Sequence, residues 1–241
     1  MSRIYLVRHG QAGTREVYDS LSDLGRQQAR LLGEYFVAEG IRFAAAYSGT
    51  LARQERTAAE VNAAYAAAAV PFPEIQPDCG WNEFDLAHVY QSLAPQLCAE
   101  DPEFRNEYEA MEAEARAAAG QHGAAVNRRW LPCDVKLVSA WIEGRYSYDG
   151  ESWRDFQERV GGCRSRLDYA GRDATIVIFT SATPIGVWTG LAMGVGDGRV
   201  MRLAGALHNT SYTLMRLRGG DLRLDSFNAI PHLSRELRTY R

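Results

Sequence analysis

The stretch Thr175-Ile176-Val177-Ile178-Phe179 is apolar at successive positions rather than at alternate ones. A strand of that kind has two apolar faces and needs cover on both, the condition of a central strand in a parallel sheet. The rest of the chain offers neighbours and covers. Ile4-Tyr5-Leu6-Val7 and residues 43–47 are further apolar runs of strand length, and each leads into a helical pattern. Ser22 reads as the N-cap of a helix carrying Leu24, Leu31, Leu32, Tyr35 and Phe36, closed by Gly40. Further helices are expected over about residues 51–69, from the cap residue Ser152 to about 169, and over 184–193. Residues 71–75 read as a short strand that Pro73 makes exposed or irregular. Residues 211–217 and 222–227, joined by Gly219-Gly220-Asp221, read as a hairpin. Strands alternating with helices imply an α/β fold, a three-layer α/β/α sandwich around a mostly parallel open sheet.

The alternation breaks between about residues 86 and 150. Helical pieces are expected there, including 101–119, broken by Gly120, Gly123 and Pro132. We read them as a helical cap inserted into a single domain spanning residues 1–241, a length that buries a substantial core. The net charge of -3 argues against nonspecific binding to nucleic acid or to an anionic membrane. The most apolar stretch, residues 176–195, is interrupted by Thr180-Ser181-Ala182-Thr183-Pro184 and by glycines, so strand, turn and helix account for it better than a membrane span. Cys79, Cys98, Cys133 and Cys163 have neither a close pair nor metal-type spacing and read as reduced thiols. The first strand follows directly on Met1-Ser2-Arg3 with no signal-peptide pattern, and a cytoplasmic location is expected.

In such a sheet, ligands sit at the carboxyl ends of the strands. Four strand ends carry reactive groups. The first ends in Arg8-His9-Gly10, where glycine permits a tight turn or a close backbone approach. The second gives Ser48, with Arg53 one turn into the next helix. Trp81-Asn82-Glu83-Phe84-Asp85 lies beyond the third, and the fourth gives Thr180-Ser181. Two arginines, a histidine and a carboxylate at one edge suit phosphoryl transfer, and no glycine-rich nucleotide loop or metal-ligand cluster competes for the role.

The runs Leu6-Val7-Arg8-His9-Gly10-Gln11, Asp19-Ser20-Leu21-Ser22-Asp23-Leu24-Gly25 and Ser48-Gly49-Thr50-Leu51-Ala52-Arg53 resemble the histidine phosphatase superfamily, which includes the phosphoglycerate mutases. Gly150-Glu151-Ser152, Asn209-Thr210-Ser211 and Phe227-Asn228 before Pro231-His232-Leu233 are similar to its later landmarks. The resemblance implies His9 as nucleophile through a phosphohistidine, Glu83 as acid and then base, and Arg8 and Arg53 as grips on the phosphoryl oxygens. It implies neither a metal nor any other cofactor.

One position departs from that pattern. Ser181 stands where the superfamily has a second histidine, so a neutral hydroxyl replaces a cation at the phosphate. With Thr183 as N-cap and Pro184 as first helical residue, backbone amides there are expected to point at the phosphate. His208 is a candidate for the missing cation, with ordinary packing as the competing reading. His88, His122 and His232 receive no role. Arg105, Arg128, Arg129 and Arg145 in the cap are read either as a grip on an acidic substrate tail or as a solvated face.

The expected function is phosphomonoester hydrolysis on a small phosphorylated metabolite chosen by the cap. Two alternatives stand beside it. One is mutase-type phosphoryl transfer, disfavoured because Ala12-Gly13-Thr14-Arg15 does not resemble the mutase substrate segment. The other is a catalytically weak module that binds a phosphate ester or a phosphoprotein, kept open by Ser181.

Overall fold

The computed structural model describes residues 1–13, 19–118, 132–167, 171 and 173–240. They form a six-stranded sheet in which β1 (Ser2–Arg8), β2 (Ala45–Ser48), β3 (Ile75–Pro77) and β4 (Thr175–Thr180) run parallel. β5 (Tyr212–Arg218) joins β1 antiparallel, and β6 (Asp221–Ala229) closes the order β3-β2-β4-β1-β5-β6. β4 therefore sits between β2 and β1, inside the sheet, as its two apolar faces require.

Those faces divide the core. Val177 and Phe179 of β4, with Tyr5 and Val7 of β1, pack under α1 (Asp23–Ala38) and α2 (Ala52–Ala67) through Leu32, Phe36, Val61 and Tyr65. Ile176 and Ile178, with Ile4 and Leu6, face the other way onto Trp81, Phe156 and Trp188. Helices thus cover both sides of one mostly parallel sheet, the expected three layers.

Between β3 and the later core helices lie α3 (Leu86–Glu100), α4 (Pro102–Ala118) and α5 (Pro132–Ile142). Their buried residues Leu93, Leu97, Leu137 and Trp141 belong to the same apolar cluster as Ile176 and Trp188. Trp141 stacks on Phe84 with ring centroids 4.5 Å apart, so the inserted helices pack directly against the segment that carries Glu83. No helix among the described residues is long and apolar enough to cross a membrane.

Several element boundaries move from their sequence-based places, each for a local reason. β2 begins at Ala45, although Phe43 is still buried against Tyr5 and Phe36. β3 begins only at Ile75, because Pro71 and Pro73 have no N–H to offer a ladder. The helix capped by Ser152 stops at Gly162 as α6 (Trp153–Gly162), and α7 (Arg164–Leu167) follows a break at Cys163. The Gly161-Gly162 pair weakens the helix there; Tyr169 lies outside the described residues. α8 (Ala182–Met193) starts two residues early, with Ser181 as N-cap and Pro184 third in the helix, still within the turn whose N–H groups have no intrahelical partner. α9 (Asp197–Ala206) precedes the hairpin, whose two-residue turn is Gly219-Gly220 with φ of 54 and 88°. Both residues occupy the left-handed region that glycine favours.

Candidate active site

β1 and β4 end level with one another, Arg8 opposite Thr180. The His9 N–H donates to Thr180 O at 2.9 Å and Gly49 N donates to Phe179 O at 3.0 Å, so three strand ends converge within a few residues. Arg8, His9, Arg53 and Ser181 are all nearly buried, at 7, 5, 6 and 0 % exposure. The structure brings these sequence-identified residues and Glu83 to one edge.

His9 is oriented by its own backbone neighbour. Nδ1 lies 2.8 Å from Gly10 O, which assigns the ring proton to Nδ1 and leaves Nε2 an unprotonated acceptor. Arg53 Nε donates to Nε2 at 3.3 Å. Burial, then Arg53, then Arg8 push the imidazole pKa well below the ordinary histidine value. The His9 carbonyl accepts from Asn209 Nδ2 at 3.2 Å and Thr210 N at 3.3 Å.

Gly10 serves close approach, and its partner is protein. A Cβ there would stand 2.4 Å from Gly25 O in the first turn of α1. Its N–H donates to Thr57 Oγ1 at 3.0 Å, so α1 and α2 both bear on the residue that orients His9.

Arg53 projects from the first turn of α2, where Asp19 ties it in. Asp19 Oδ1 accepts from Arg53 Nη1 at 3.0 Å, and Asp19 Oδ2 accepts from Ala52 N at 3.0 Å. One carboxylate thus caps the helix and pairs with the arginine. Arg8 Nη1 donates to Leu207 O.

Glu83 reaches the edge from the irregular segment after the 3-10 turn Cys79–Trp81. Its Oε2 accepts from Thr183 N at 3.1 Å and its Oε1 from Phe84 N at 3.2 Å. Burial raises its pKa, against the opposing pull of the Thr183 hydrogen bonds and of Arg53. The two shifts have opposite sense, the carboxyl toward keeping a proton and the imidazole toward losing one.

The Thr183 amide is therefore occupied by Glu83, and Thr183 lies inside the helix rather than at its expected N-cap. Ser181 is the N-cap, yet its Oγ accepts from Gln54 Nε2 at 2.8 Å and caps no helix amide. That bond uses a lone pair and leaves the hydroxyl proton available for donation.

The other candidates separate clearly. His208 Nδ1 lies 3.4 Å from Asn228 Oδ1 and its ring lies tilted against Tyr240, centroids 4.1 Å apart. Burial foremost pushes its pKa below the usual value, the direction that disfavours a cation there. His232 Nε2 meets Thr210 Oγ1 at 3.0 Å, and His88 Nε2 meets Asp149 Oδ1 at 3.2 Å. Arg105 donates to Cys98 O and Arg145 to Glu143, each within its own neighbourhood. His122, Arg128 and Arg129 lie outside the described residues.

Sequence reasoning missed Asp19, Gln54 and Asn209 as individual contributors. Asp19 and Asn209 stand inside the motif runs, a signal that locates them without saying what they touch. A cavity of about 310 Å³ opens beside Glu83, walled by Phe84, His88, Trp141 and Tyr148.

A family model of the histidine phosphatase superfamily (branch 1) matches residues 4–145 and 135–230. A search of curated proteins by sequence returned no match. Among solved structures, a phosphoserine phosphatase variant from Entamoeba histolytica with phosphoserine is 16% identical, covers 97% of this chain and 100% of its own, and superposes with a TM-score of 0.60. A mycobacterial glucosyl-3-phosphoglycerate phosphatase with inorganic phosphate is 18% identical over 96% of this chain and 99% of its own, with a TM-score of 0.61. Bacillus stearothermophilus YhfR is 18% identical over the same shares, with a TM-score of 0.62. At these identities the likeness speaks for the fold.

Proposed function

The chain belongs to the histidine phosphatase superfamily and is a phosphatase of that type, and from this premise we propose that it hydrolyses small phosphomonoesters through a phosphohistidine at His9. The observation that carries the reading is the unprotonated Nε2 of His9, whose lone pair accepts from Arg53 Nε at 3.3 Å and is released to phosphorus when that arginine turns to the phosphoryl oxygens. Nε2 attacks phosphorus, the N–P bond forms, and the ester P–O bond breaks as Glu83 gives its proton to the departing oxygen. Water then attacks the phosphohistidine, Glu83 takes the proton of that water, and the N–P bond breaks to release inorganic phosphate. Arg8 and Arg53 offset the charge on the phosphoryl oxygens in both steps. Ser181 adds a single neutral hydrogen bond in place of the cation that the superfamily pattern supplies.

Rapid quench with a labelled aryl phosphate tests this. Label is expected on His9 of the native chain and none on His9→Ala. Tight binding with no trapped label would instead mark the weak binding module. Sustained exchange between phosphoglycerate isomers, primed by 2,3-bisphosphoglycerate and releasing no free phosphate, would mark mutase chemistry.

A further inference from the structure

Glu83 has its carboxylate held by two amides, but its backbone belongs to a segment without helix or strand. Carbonyls of a short surface turn and of the loop after it ordinarily face water. Here three of them, from Cys79, Gly80 and Asn82, converge on one nitrogen, Arg159 Nη1, at 3.0, 2.9 and 3.2 Å. The opposite edge of the same guanidinium is spent on Glu151, Nε to Oε1 at 2.6 Å and Nη2 to Oε2 at 2.8 Å. Its carbon sits 5.0 Å from the centre of the Phe156 ring, in the cluster that includes Phe84 and Trp141. Trp141 Nε1 in turn donates to the Glu151 carbonyl at 3.1 Å. An unbroken chain of contacts therefore runs from the inserted helices through Glu151 and Arg159 to the residues immediately before Glu83.

Only arginine has this reach. Its planar fork matches a carboxylate on one edge while the remaining N–H groups capture carbonyls, whereas a lysine ammonium has three donors at one point. The ion pair with Glu151 supplies the bonded counter-charge of Arg159, and Glu83 acts on the same charge through space. The same two side chains line the cavity beside Glu83.

We propose that Arg159, oriented by Glu151, is the positioning residue for Glu83: it pins the turn at residues 79–82 from which the carboxyl reaches the leaving-group oxygen. This rests on the reading of Glu83 as proton donor, and the experiment separates the two. The measurement is kcat/KM for glycerol 2-phosphate divided by kcat/KM for 4-nitrophenyl phosphate. The first leaving group needs a proton and the second departs as a stabilised anion, and kcat/KM reports the steps up to that departure. Because both rates come from one preparation, the ratio does not depend on the fraction folded.

Glu83→Gln is expected to lower the ratio by about 10²-fold or more. Arg159→Lys should lower it at least about tenfold, approaching the 10²-fold that a displacement of about 1 Å costs. Glu151→Gln, which keeps the shape of the pair, should move the ratio the same way by a smaller factor and carries the test if Arg159→Lys does not accumulate. A merely structural role would depress both rates together and leave the ratio native; that result, with Glu83→Gln shifted, overturns the proposal alone. A native ratio in Glu83→Gln removes Glu83 as donor, and the proposal falls with it.

Discussion

Gly10→Ala is the sharpest perturbation available in this site, because it adds one methyl group between two stretches of backbone. The new Cβ would lie 2.4 Å from Gly25 O, whereas ordinary contact begins near 3.4 Å. The obstacle is a carbonyl in the first turn of α1 and cannot rotate away as a side chain would. Either β1 or α1 must shift by about 1 Å. Overpacking of this kind costs about 1–3 kcal/mol, and at about 2 kcal/mol the Tm of a chain this size falls by about 4–8 °C. The chain stays folded, since domains hold about 5–15 kcal/mol in reserve. Activity suffers more, because Gly10 O is the acceptor that orients the His9 ring. Misplacing a nucleophile by about 1 Å costs about 10²-fold in rate. The assay is kcat on 4-nitrophenyl phosphate together with thermal melting, using Gly162→Ala as control. Nothing lies within 4 Å of a Cβ at Gly162, at the end of α6, so that variant should keep full activity and melt slightly higher. A Gly10→Ala enzyme with native Tm and a kcat within about threefold of native would refute the argument that this contact fixes the nucleophile.

Three further outcomes follow from the same geometry. Burial holds His232 at a pKa of about 4 and pushes His9 well below the ordinary value. The unfolded chain therefore binds more protons below about pH 6.5, and stability should fall as pH drops from there toward 4; urea titrations at stepped pH should show the slope, and His232→Gln should flatten it. Ser181→Ala removes the hydroxyl while Gln54 keeps its bond to Trp81 O, so kcat/KM should drop about tenfold or more with little change in Tm; an unchanged rate would mean that this hydroxyl serves only as an acceptor for Gln54. Asp19→Asn takes an anion from the Arg53 fork and weakens the start of α2. Inorganic phosphate should then inhibit at lower concentration while Tm falls by a few degrees, about 1 kcal/mol of lost capping, and weaker phosphate inhibition would show that Asp19 orients Arg53 for the ligand instead.

Much of this was legible in the chain itself. A strand apolar at successive positions needs cover on both faces, and Thr175–Thr180 has it. Arg8, His9, Ser181 and Arg53 could be assigned to one edge because a parallel sheet puts all its carboxyl ends on the same side. What could not be read was which polar atom meets which. Thr183 looked like the cap of this helix, but the cap is Ser181, and Glu83, a hundred positions earlier, accepts from the Thr183 amide. Gly10 read as a tight turn or a close backbone approach, and only the structure shows that the approach is to Gly25.

Hydrophobic pattern and strand-end chemistry are local properties, written in the order of residues, and they determined the layered fold and the place of the reactive groups. Hydrogen bonds and ion pairs are short-ranged and directional, so they exist only once distant segments are brought within about 3 Å. The tautomer of His9, the hold of Asp19 on Arg53 and the grip of Arg159 on the turn before Glu83 belong to that second kind. Packing decided them, because no spacing along the chain encodes the distance between residue 82 and residue 159.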